Sequence, residues 1–211
     1  MERTPLIRKF DKQAPHYEKR RKEQTQKVWR ETLLRSPQGH VLEVAVGAGA
    51  NFPYYPKHVE VTAVDFSPEM IRKAKESAHE NGIQAKFMTS DIERLSFPEN
   101  SFDTIISTLS LCGYQNPSAV LNQFNQWCKE DGAILLMEHG LSSHPLLSRL
   151  QRILDSLAVR IAGCHQNRDI MQLIHASKLI IEKQESHRLG MVHLVWARPQ
   201  KGMNSIPILE I

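Results

Sequence analysis

The chain has 211 residues, 41% of them hydrophobic and 24% charged, with three cysteines and a formal net charge of +4. A chain of this size buries a sizeable core without disulfides or metals. It has no run near the ~20 apolar residues that a membrane-spanning helix needs, and Met-Glu-Arg-Thr-Pro at the start lacks the apolar centre of a signal peptide. Cys112, Cys128 and Cys164 are odd in number and not spaced as metal-ligand pairs, which fits free thiols in a reducing compartment. A cytoplasmic chain is therefore expected. The charge is uneven: residues 1–36 hold eleven Lys/Arg against five Asp/Glu. Such an arm is a solvated helix face, or it attracts an anionic membrane surface or nucleic acid. No nucleic-acid-binding module accompanies it, so no nucleic-acid partner is expected.

Residues 3–36 read as one or two helices. Pro15 breaks the pattern, and Tyr17 to Leu34 resumes it with Val28, Trp29, Thr32 and Leu33 as an apolar stripe. Pro37-Gln38-Gly39 is a turn. Val41, Leu42, Val44 and Val46 form a short apolar run, read as a buried strand entering a tight loop at Gly47 and Gly49. Glycine there takes positive φ at little cost and lets a ligand approach the backbone. A helix is expected from about Asn51, its free N–H groups facing an anionic group, although Phe52-Pro53-Tyr54-Tyr55-Pro56 allows only an abbreviated one. A second strand, Val59 to Val64, ends in Asp65, whose carboxylate can accept two hydrogen bonds from a ribose diol. Glycine loop plus strand-end acid is the signature of an adenosine cofactor on a βαβ unit. A dinucleotide loop wants a third glycine, and Phe52 occupies that place. Glu43, inside the first strand, fits a ligand that carries a cationic amino group.

Ser67 is the expected N-cap of the next helix, with Pro68 at its first position and Asn81-Gly82 as its stop. Ala85 to Thr89 is a third strand, followed by Ser90-Asp91-Ile92. Phe102 to Thr108 is a fourth strand, and Thr108 to Tyr114 then lie at the carboxyl ends of the parallel strands. Leu121 to Trp127 is a helix turned by Glu130-Asp131-Gly132. Ala133 to Met137 is a fifth strand with Glu138-His139-Gly140 as its exposed end. Pro145 starts a helix with Leu146, Leu150, Ile153, Leu157 and Ile161 on one face and Arg149, Arg152 and Arg160 on the other. That face packs into the core, caps a substrate, or lies on a membrane. After a turn with Asn167 as its cap, Ile170 to Ser177 is a helix. Lys178 to His187 and Met191 to Arg198 are a closing hairpin.

Val-Leu-Glu-Val-Ala-Val-Gly-Ala-Gly at 41–49 resembles the first motif of class I S-adenosylmethionine-dependent methyltransferases. The match continues through Asp65-Phe66-Ser67-Pro68-Glu69-Met70, Asp91-Ile92, Ser101-Phe102-Asp103 and Asp131-Gly132. The resemblance implies an α/β fold, a Rossmann-like doubly wound, mostly parallel seven-stranded sheet with an antiparallel C-terminal hairpin. It implies S-adenosyl-L-methionine as cofactor, held by Glu43, Ala45, Gly47, Gly49, Asn51, Asp65, Phe66, Asp91, Ile92 and Thr108. Asp91 would meet the adenine amino group and Ile92 its ring. One departure stands out. Ala45 occupies the place of the family's first glycine, and its methyl bears on cofactor affinity.

Phe10-Asp11-x-x-Ala14-x-x-Tyr17 resembles the leading segment of quinone-pathway methyltransferases, which makes His16 and Tyr17 candidates for lining the site. Gly49-Ala50-Asn51-Phe52, Thr108 to Cys112, Met137-Glu138-His139 and Gly163-Cys164 with Arg168 are similar to methyltransferase-like proteins that methylate alkyl thiols and associate with membranes. No counterpart of the membrane-anchoring N-terminal helix of the animal thiol enzymes is seen. The expected organisation is a methyltransferase domain over 1–199, with a helical cap at 1–36, an inserted cap at 141–166, and a tail at 200–211.

Methyl transfer from a sulfonium is an in-line displacement in which the protein aligns the acceptor and excludes water. No metal is expected. A base serves only an acceptor that must lose a proton; His139 is the first candidate and Tyr17 the next. The acceptor is expected to be small or lipid-like: a thiol, a quinol carbon or an amine. Peripheral membrane contact would run through the basic arm or residues 142–162. Two alternatives stay open, a nicotinamide-dependent oxidoreductase and a non-catalytic cofactor-binding module of the same fold. Oligomeric state is left open.

Overall fold

The computed structural model describes residues 4–201; residues 202–211, most of the expected tail, lie outside it. One sheet organises those residues. Five strands are parallel: β1 (His40–Val44), β2 (Glu60–Asp65), β3 (Ala85–Thr89), β4 (Phe102–Thr108) and β5 (Cys128–His139). Two more, β6 (Leu179–His187) and β7 (Val192–Pro199), pair antiparallel, and β7 also runs antiparallel to β5. The order is β3-β2-β1-β4-β5-β7-β6. The expected seven-stranded sheet with its antiparallel hairpin is therefore present. Strand order reverses between β1 and β4, and in such sheets ligands sit outside the strands' carboxyl ends at that crevice.

β1 is apolar almost throughout because both of its faces are covered, with Val41, Leu42 and Val44 fully buried. On one face, Leu42, Val44, Ile105 and Ile134 pack with Leu121, Phe124 and Trp127 of α4 (Pro117–Trp127). On the other, Val41, Val61, Ala63 and Ile106 pack with Ile71, Ala74 and Ala78 of α3 (Pro68–Glu80), and with Leu33 at the end of α2 (Lys27–Leu33).

Several elements depart from expectation. Pro15 does not end a helix: α1 runs unbroken from Thr4 to Lys22. A proline inside a helix removes one hydrogen bond, but contacts on both sides of it hold this one. Asp11 accepts from Ser67 Oγ at 2.5 Å, Glu18 pairs with Lys73 at 2.7 Å, and Arg21 pairs with Glu80 at 2.5 Å. The break comes at 23–26, where Gln24 and Gln26 take positive φ. In α2, Val28 is exposed and Arg30 buried, so the expected stripe is partly inverted. The glycine loop leads into only a three-residue 3-10 turn, Phe52–Tyr54, so there is no helix dipole at Asn51. β5 begins at Cys128, and Glu130-Asp131-Gly132 form a bulge against β4 rather than a turn before the strand. α4 begins one turn earlier than expected, capped by Asn116. The short α6 (Ile170–His175) is capped by Asp169, not Asn167.

The helix α5 (Pro145–Ala162) is turned inside out. Its polar side faces inward: Gln151 donates to the Gly140 and Gln166 carbonyls at 3.1 Å each. Asp155 accepts from the backbone of Gln166 at 2.7 Å and bonds His165 Nδ1 at 2.7 Å. Leu146, Ile153 and Ile161 are 73%, 69% and 65% exposed, and Leu150, Leu154 and Leu157 are also exposed. The core-packing reading of that face is thus corrected. Among the described residues no helix is long and apolar enough to cross a membrane.

Ser67 is the N-cap of α3 as expected, accepting from Met70 N at 3.2 Å, and it also tethers Asp11 of α1. Losing both contacts makes Ser67→Ala less stable by about 1–2 kcal/mol in urea unfolding. A loss under ~0.3 kcal/mol would show that neither contact contributes.

Candidate active site

A cavity of about 430 Å³ opens at the carboxyl ends of β1, β2, β4 and β5. The loop after β1 forms its floor through Ala45, Val46, Gly47 and Ala48. Asp65 and Phe66 line it from β2, Thr108 to Ser110 from β4, and His139 from β5. Leu6, Phe10 and Tyr17 of α1 close one side, and Gly163, Cys164 and Gln166 close the far end.

The two glycines do different work. A Cβ on Gly47 (φ 55°) would meet Tyr17 at 3.8 Å and the Ala45 carbonyl at 4.0 Å, both ordinary contacts, so this residue presents bare backbone to the cavity. A Cβ on Gly49 (φ 74°) would fall 2.8 Å from Ser77 Cβ and 2.9 Å from the Phe52 ring. Gly49 therefore lets the loop press against α3 and does not line the cavity. Ala45 sits between them and the strand with φ 49°, left-handed backbone that costs a residue with a Cβ about 1 kcal/mol.

Glu43 lies at the back of the cavity, 1% exposed. Its carboxylate accepts from Asn51 Nδ2 at 2.9 Å and from the Tyr55 hydroxyl at 2.7 Å. Asn51 Oδ1 in turn accepts from Arg30 Nη1, and Arg30 Nη2 donates to Gln26 at 3.2 Å. An amide suits this relay because it offers an acceptor to the guanidinium and a donor to the acid. Burial pushes the Glu43 carboxyl up from 4.5 to about 7 against the pull of Tyr55 and Arg30. Asn51 itself is wholly buried and does not line the cavity.

Asp65 accepts from Gly47 N and from Ser67 N, each at 2.9 Å, and so joins the ends of the β1 and β2 loops. Burial raises its carboxyl to about 6. Phe66 stacks edge-on to Phe10 at 5.1 Å. Thr108 accepts from Asn51 Nδ2 at 3.3 Å. Asp91 and Ile92 lie outside the cavity wall; Ile92 is part of the core and Asp91 caps a short 3-10 turn, accepting from Glu93 N at 3.1 Å. His16 is exposed and off the cavity. Tyr17 lines it, and burial pushes its phenol up to about 12, so it keeps its proton near neutral pH.

Other residues emerge only from the fold. Glu138, expected at an exposed strand end, is fully buried. It accepts from Ser107 Oγ at 2.7 Å, from Ser110 N at 2.9 Å and from Leu111 N at 3.1 Å, which pins the loop after β4. Arg168 donates to the Leu111 and Tyr114 carbonyls and clamps that loop to the turn after α5. Cys112 and Cys164, with 51 intervening residues, meet His139 at the far end of the cavity. Their ligand atoms all lie within 4.8 Å of one another, and Cys164 Sγ is 4.0 Å from His139 Nε2. A hydrogen bond donated by Cys112 holds the Cys164 thiol below its ordinary range, and donating that bond, together with burial, raises the Cys112 thiol.

A reversal-point cavity, a glycine loop at its floor and acids in β1 and at the end of β2 agree with the family model, the curated relatives and the solved structures, which together indicate a class I S-adenosylmethionine-dependent methyltransferase. Residues 42–136 match the family model described as a methyltransferase domain. Among curated relatives, phosphatidylethanolamine N-methyltransferase of Cereibacter sphaeroides is 33% identical over 103 residues, covering 48% of this chain and 51% of that protein. Thiol S-methyltransferase TMT1B of Rattus norvegicus is 31% identical over 166 residues, covering 75% and 63%. The chain thus spans less than two thirds of these relatives' length. The crystal structure of YcgJ from Bacillus subtilis superposes with a TM-score of 0.66 at 17% identity, over 83% of this chain and 98% of that one, a likeness of fold. The oxidoreductase and non-catalytic alternatives gain no support from these likenesses.

Two predictions follow from this geometry. Ala45→Gly relieves the left-handed strain and raises stability by about 0.5–1 kcal/mol, the greater freedom of unfolded glycine offsetting part of the gain; a variant less stable than the parent in thermal melts would contradict it. Burial raises the Glu138 carboxyl from 4.5 to about 7. The folded state therefore binds its proton more tightly, and this group's contribution to stability is full below about pH 4.5 and lost as pH rises to about 7. Glu138→Gln should flatten that part of the stability-against-pH curve, measured by urea unfolding. An unchanged slope would assign it to other groups.

Proposed function

We propose that the chain transfers a methyl group from S-adenosyl-L-methionine to a small or lipid-like acceptor, with a thiol favoured over an amine or a quinol carbon. The observation that carries this reading is the cavity itself, which has buried acids and bare glycine backbone at one end and a Cys112–His139–Cys164 cluster at the other. The residues present fit the cofactor. Gly47 leaves its side of the loop open, Glu43 suits an ammonium, and Asp65 suits a ribose diol. Arg30 Nε, buried at the cavity wall with no acceptor among the described residues, suits a carboxylate.

When bound, the cofactor supplies an activated methyl carbon. The chain's own part is placement. Glu43, Asp65, Gly47 and Ala45 would hold the amino-acid and ribose parts, and Phe66 and Thr108 would flank them. Gly49 and Asn51 would act from behind, Gly49 by seating the loop and Asn51 by orienting Glu43. Asp91 and Ile92 follow β3 and do not line the cavity, so an adenine held by them would extend beyond it. The rings of Phe10, Tyr17 and Phe66 would exclude water. His139 is placed to take a proton from an acceptor held at the cysteine end; full turnover in His139→Ala would rule it out as an essential base.

The favoured thiol acceptor is supported by the likeness to TMT1B, whose name states thiol S-methylation. A lipid-like acceptor is supported by the likeness to a phosphatidylethanolamine methyltransferase and by α5. Its outward Leu/Ile face, bordered by exposed Arg149, Arg152 and Arg160, suits the surface of an anionic bilayer beside the cavity mouth.

Labelled S-adenosylmethionine should yield labelled thioether with small alkyl thiols and little product with amines or quinols; the reverse ranking would reassign the acceptor. Asp65→Ala should weaken cofactor binding about ten- to hundredfold, because hydrogen bonds to a charged group are lost, and unchanged affinity would remove this cofactor placement. Ile153→Asp should lower co-sedimentation with anionic vesicles about tenfold. If the parent chain does not sediment with them at all, the bilayer reading fails.

A further inference from the structure

The cluster at the far end of the cavity does more than line it. Cys112 comes from the loop after β4, His139 from the end of β5 and Cys164 from the turn after α5, and each of these segments is independently pinned. Glu138 holds the first by two backbone N–H groups, at 2.9 and 3.1 Å. The Val192 register of β7 holds the second. Asp155 holds the third by the N–H groups of Gln166 and Asn167, at 2.7 and 3.3 Å. The first and third segments are joined directly by His165 N donating to Cys112 O at 3.0 Å. Five hydrogen bonds and one strand register thus bring two sulfurs and one imidazole nitrogen within 4.8 Å of one another. Around a tetrahedral ion with Zn–S of about 2.3 Å and Zn–N of about 2.0 Å the donors stand roughly 3.5–3.8 Å apart, so the set would draw in by up to about 1 Å to hold one.

We propose that Cys112, His139 and Cys164 form a zinc site with three protein ligands and a fourth position open to the cavity, where a thiol is the ligand it takes. The donor set is soft, which selects zinc over magnesium or calcium. Three protein ligands with an open place mark a reactive ion and not a structural one. All three residues border the cavity, so the open place faces the space where the acceptor enters. Cys164 is half-buried and Cys112 buried, which shields the ion from bulk water on the protein side. Gln166 Nε2, 3.2 Å from Cys164 Sγ, supplies an outer-shell hydrogen bond of the kind that orients a thiolate ligand.

The consequence for chemistry rests on the methyltransferase reading above. An alkyl thiol, R–SH, would replace water on the ion and release its proton to solvent, leaving a bound thiolate; with the metal in place His139 is a ligand and does not act as the base considered above. A sulfur lone pair then forms the new S–CH3 bond as the methyl carbon's bond to the cofactor sulfonium breaks. That bonding pair stays on the cofactor sulfur, now a neutral thioether. The products are R–S–CH3, the demethylated cofactor and one proton, with no oxidant or reductant consumed. The neutral product is a poor zinc ligand and departs. Such a site gives an acceptor preference that a plain apolar pocket would not, because amines and alcohols lack the soft sulfur.

The test reads metal first and activity second. The full chain is purified under reductant, dialysed against limiting zinc with a competing chelator, and assayed by elemental analysis. About one zinc per chain is expected. Cys164→Ser should lower zinc affinity by at least about tenfold while leaving the melting profile of the metal-free protein, and its calorimetric affinity for S-adenosylmethionine, as in the metal-free parent. Cys164 is preferred to Cys112 because it is not packed in the core. In the cobalt-substituted protein, 2-mercaptoethanol should add sulfur-to-metal charge-transfer absorption, and ethanolamine should not. Substoichiometric zinc, unchanged affinity in Cys164→Ser, or a cobalt spectrum indifferent to the thiol would each overturn the proposal, as would a Cys112–Cys164 disulfide that persists under reductant. Zinc bound without cofactor binding would instead sink the methyltransferase reading and leave the metal site standing.

Discussion

A carboxylate inside a parallel strand is the constraint around which the cavity end of this molecule is arranged. Glu43 sits in β1, the centre of the sheet, with almost no exposure. A buried acid is tolerated only if its oxygens are bonded or it keeps its proton. Here both measures operate: Tyr55 and Asn51 bond it, and burial raises its carboxyl to about 7. The partners must be delivered by the 3-10 turn after the glycine loop and by α2, so those segments have one place to be. Phe52 fills the space under the loop, Gly49 lets it close, and Arg30 completes the relay from outside.

The same device recurs at two other points of the rim. Asp65 ends β2 and gathers the amides of Gly47 and Ser67. Glu138 ends β5 and gathers those of Ser110 and Leu111. Three acids at three strand ends thus fix three loops, and the loops make the cavity wall. This is stronger than loop packing alone, since hydrogen bonds between a carboxylate and backbone N–H groups are charge-assisted when the acid is ionised. α1 and α5 then form the roof, joined where Lys9 Nζ reaches the Val159 and Arg160 carbonyls at 3.2 and 2.7 Å.

The features legible in the sequence are those set by local chemistry. An apolar run between turn residues marks β1, Ser67-Pro68 marks the start of α3, and Asn81-Gly82 marks its stop. The illegible ones depend on distant partners. Pro15 says break, yet Ser67, Lys73 and Glu80 hold α1 through it. Amphipathic spacing finds α5 but does not say which face turns inward, since Gln151 and Asp155 prefer backbone groups of a turn that the sequence does not bring near. Glu138 reads as exposed by residue type, and only the loop amides after β4 explain its burial. The Cys112–His139–Cys164 cluster has no spacing signature because its members come from two loops and a strand end. Ala45 is legible as a departure, but its left-handed φ of 49° is not.

The central claim is that Glu43 is the seat of a cationic amino group. An ammonium beside it would favour the carboxylate, and a carboxyl poised at about 7 would release its proton. Calorimetric titration of S-adenosylmethionine near pH 6.5, repeated in buffers of different ionisation enthalpy, measures that release directly. The account predicts binding coupled to the release of a substantial fraction of a proton, with the coupling lost in Glu43→Gln. Binding with no proton release, or the same release in Glu43→Gln, would contradict it.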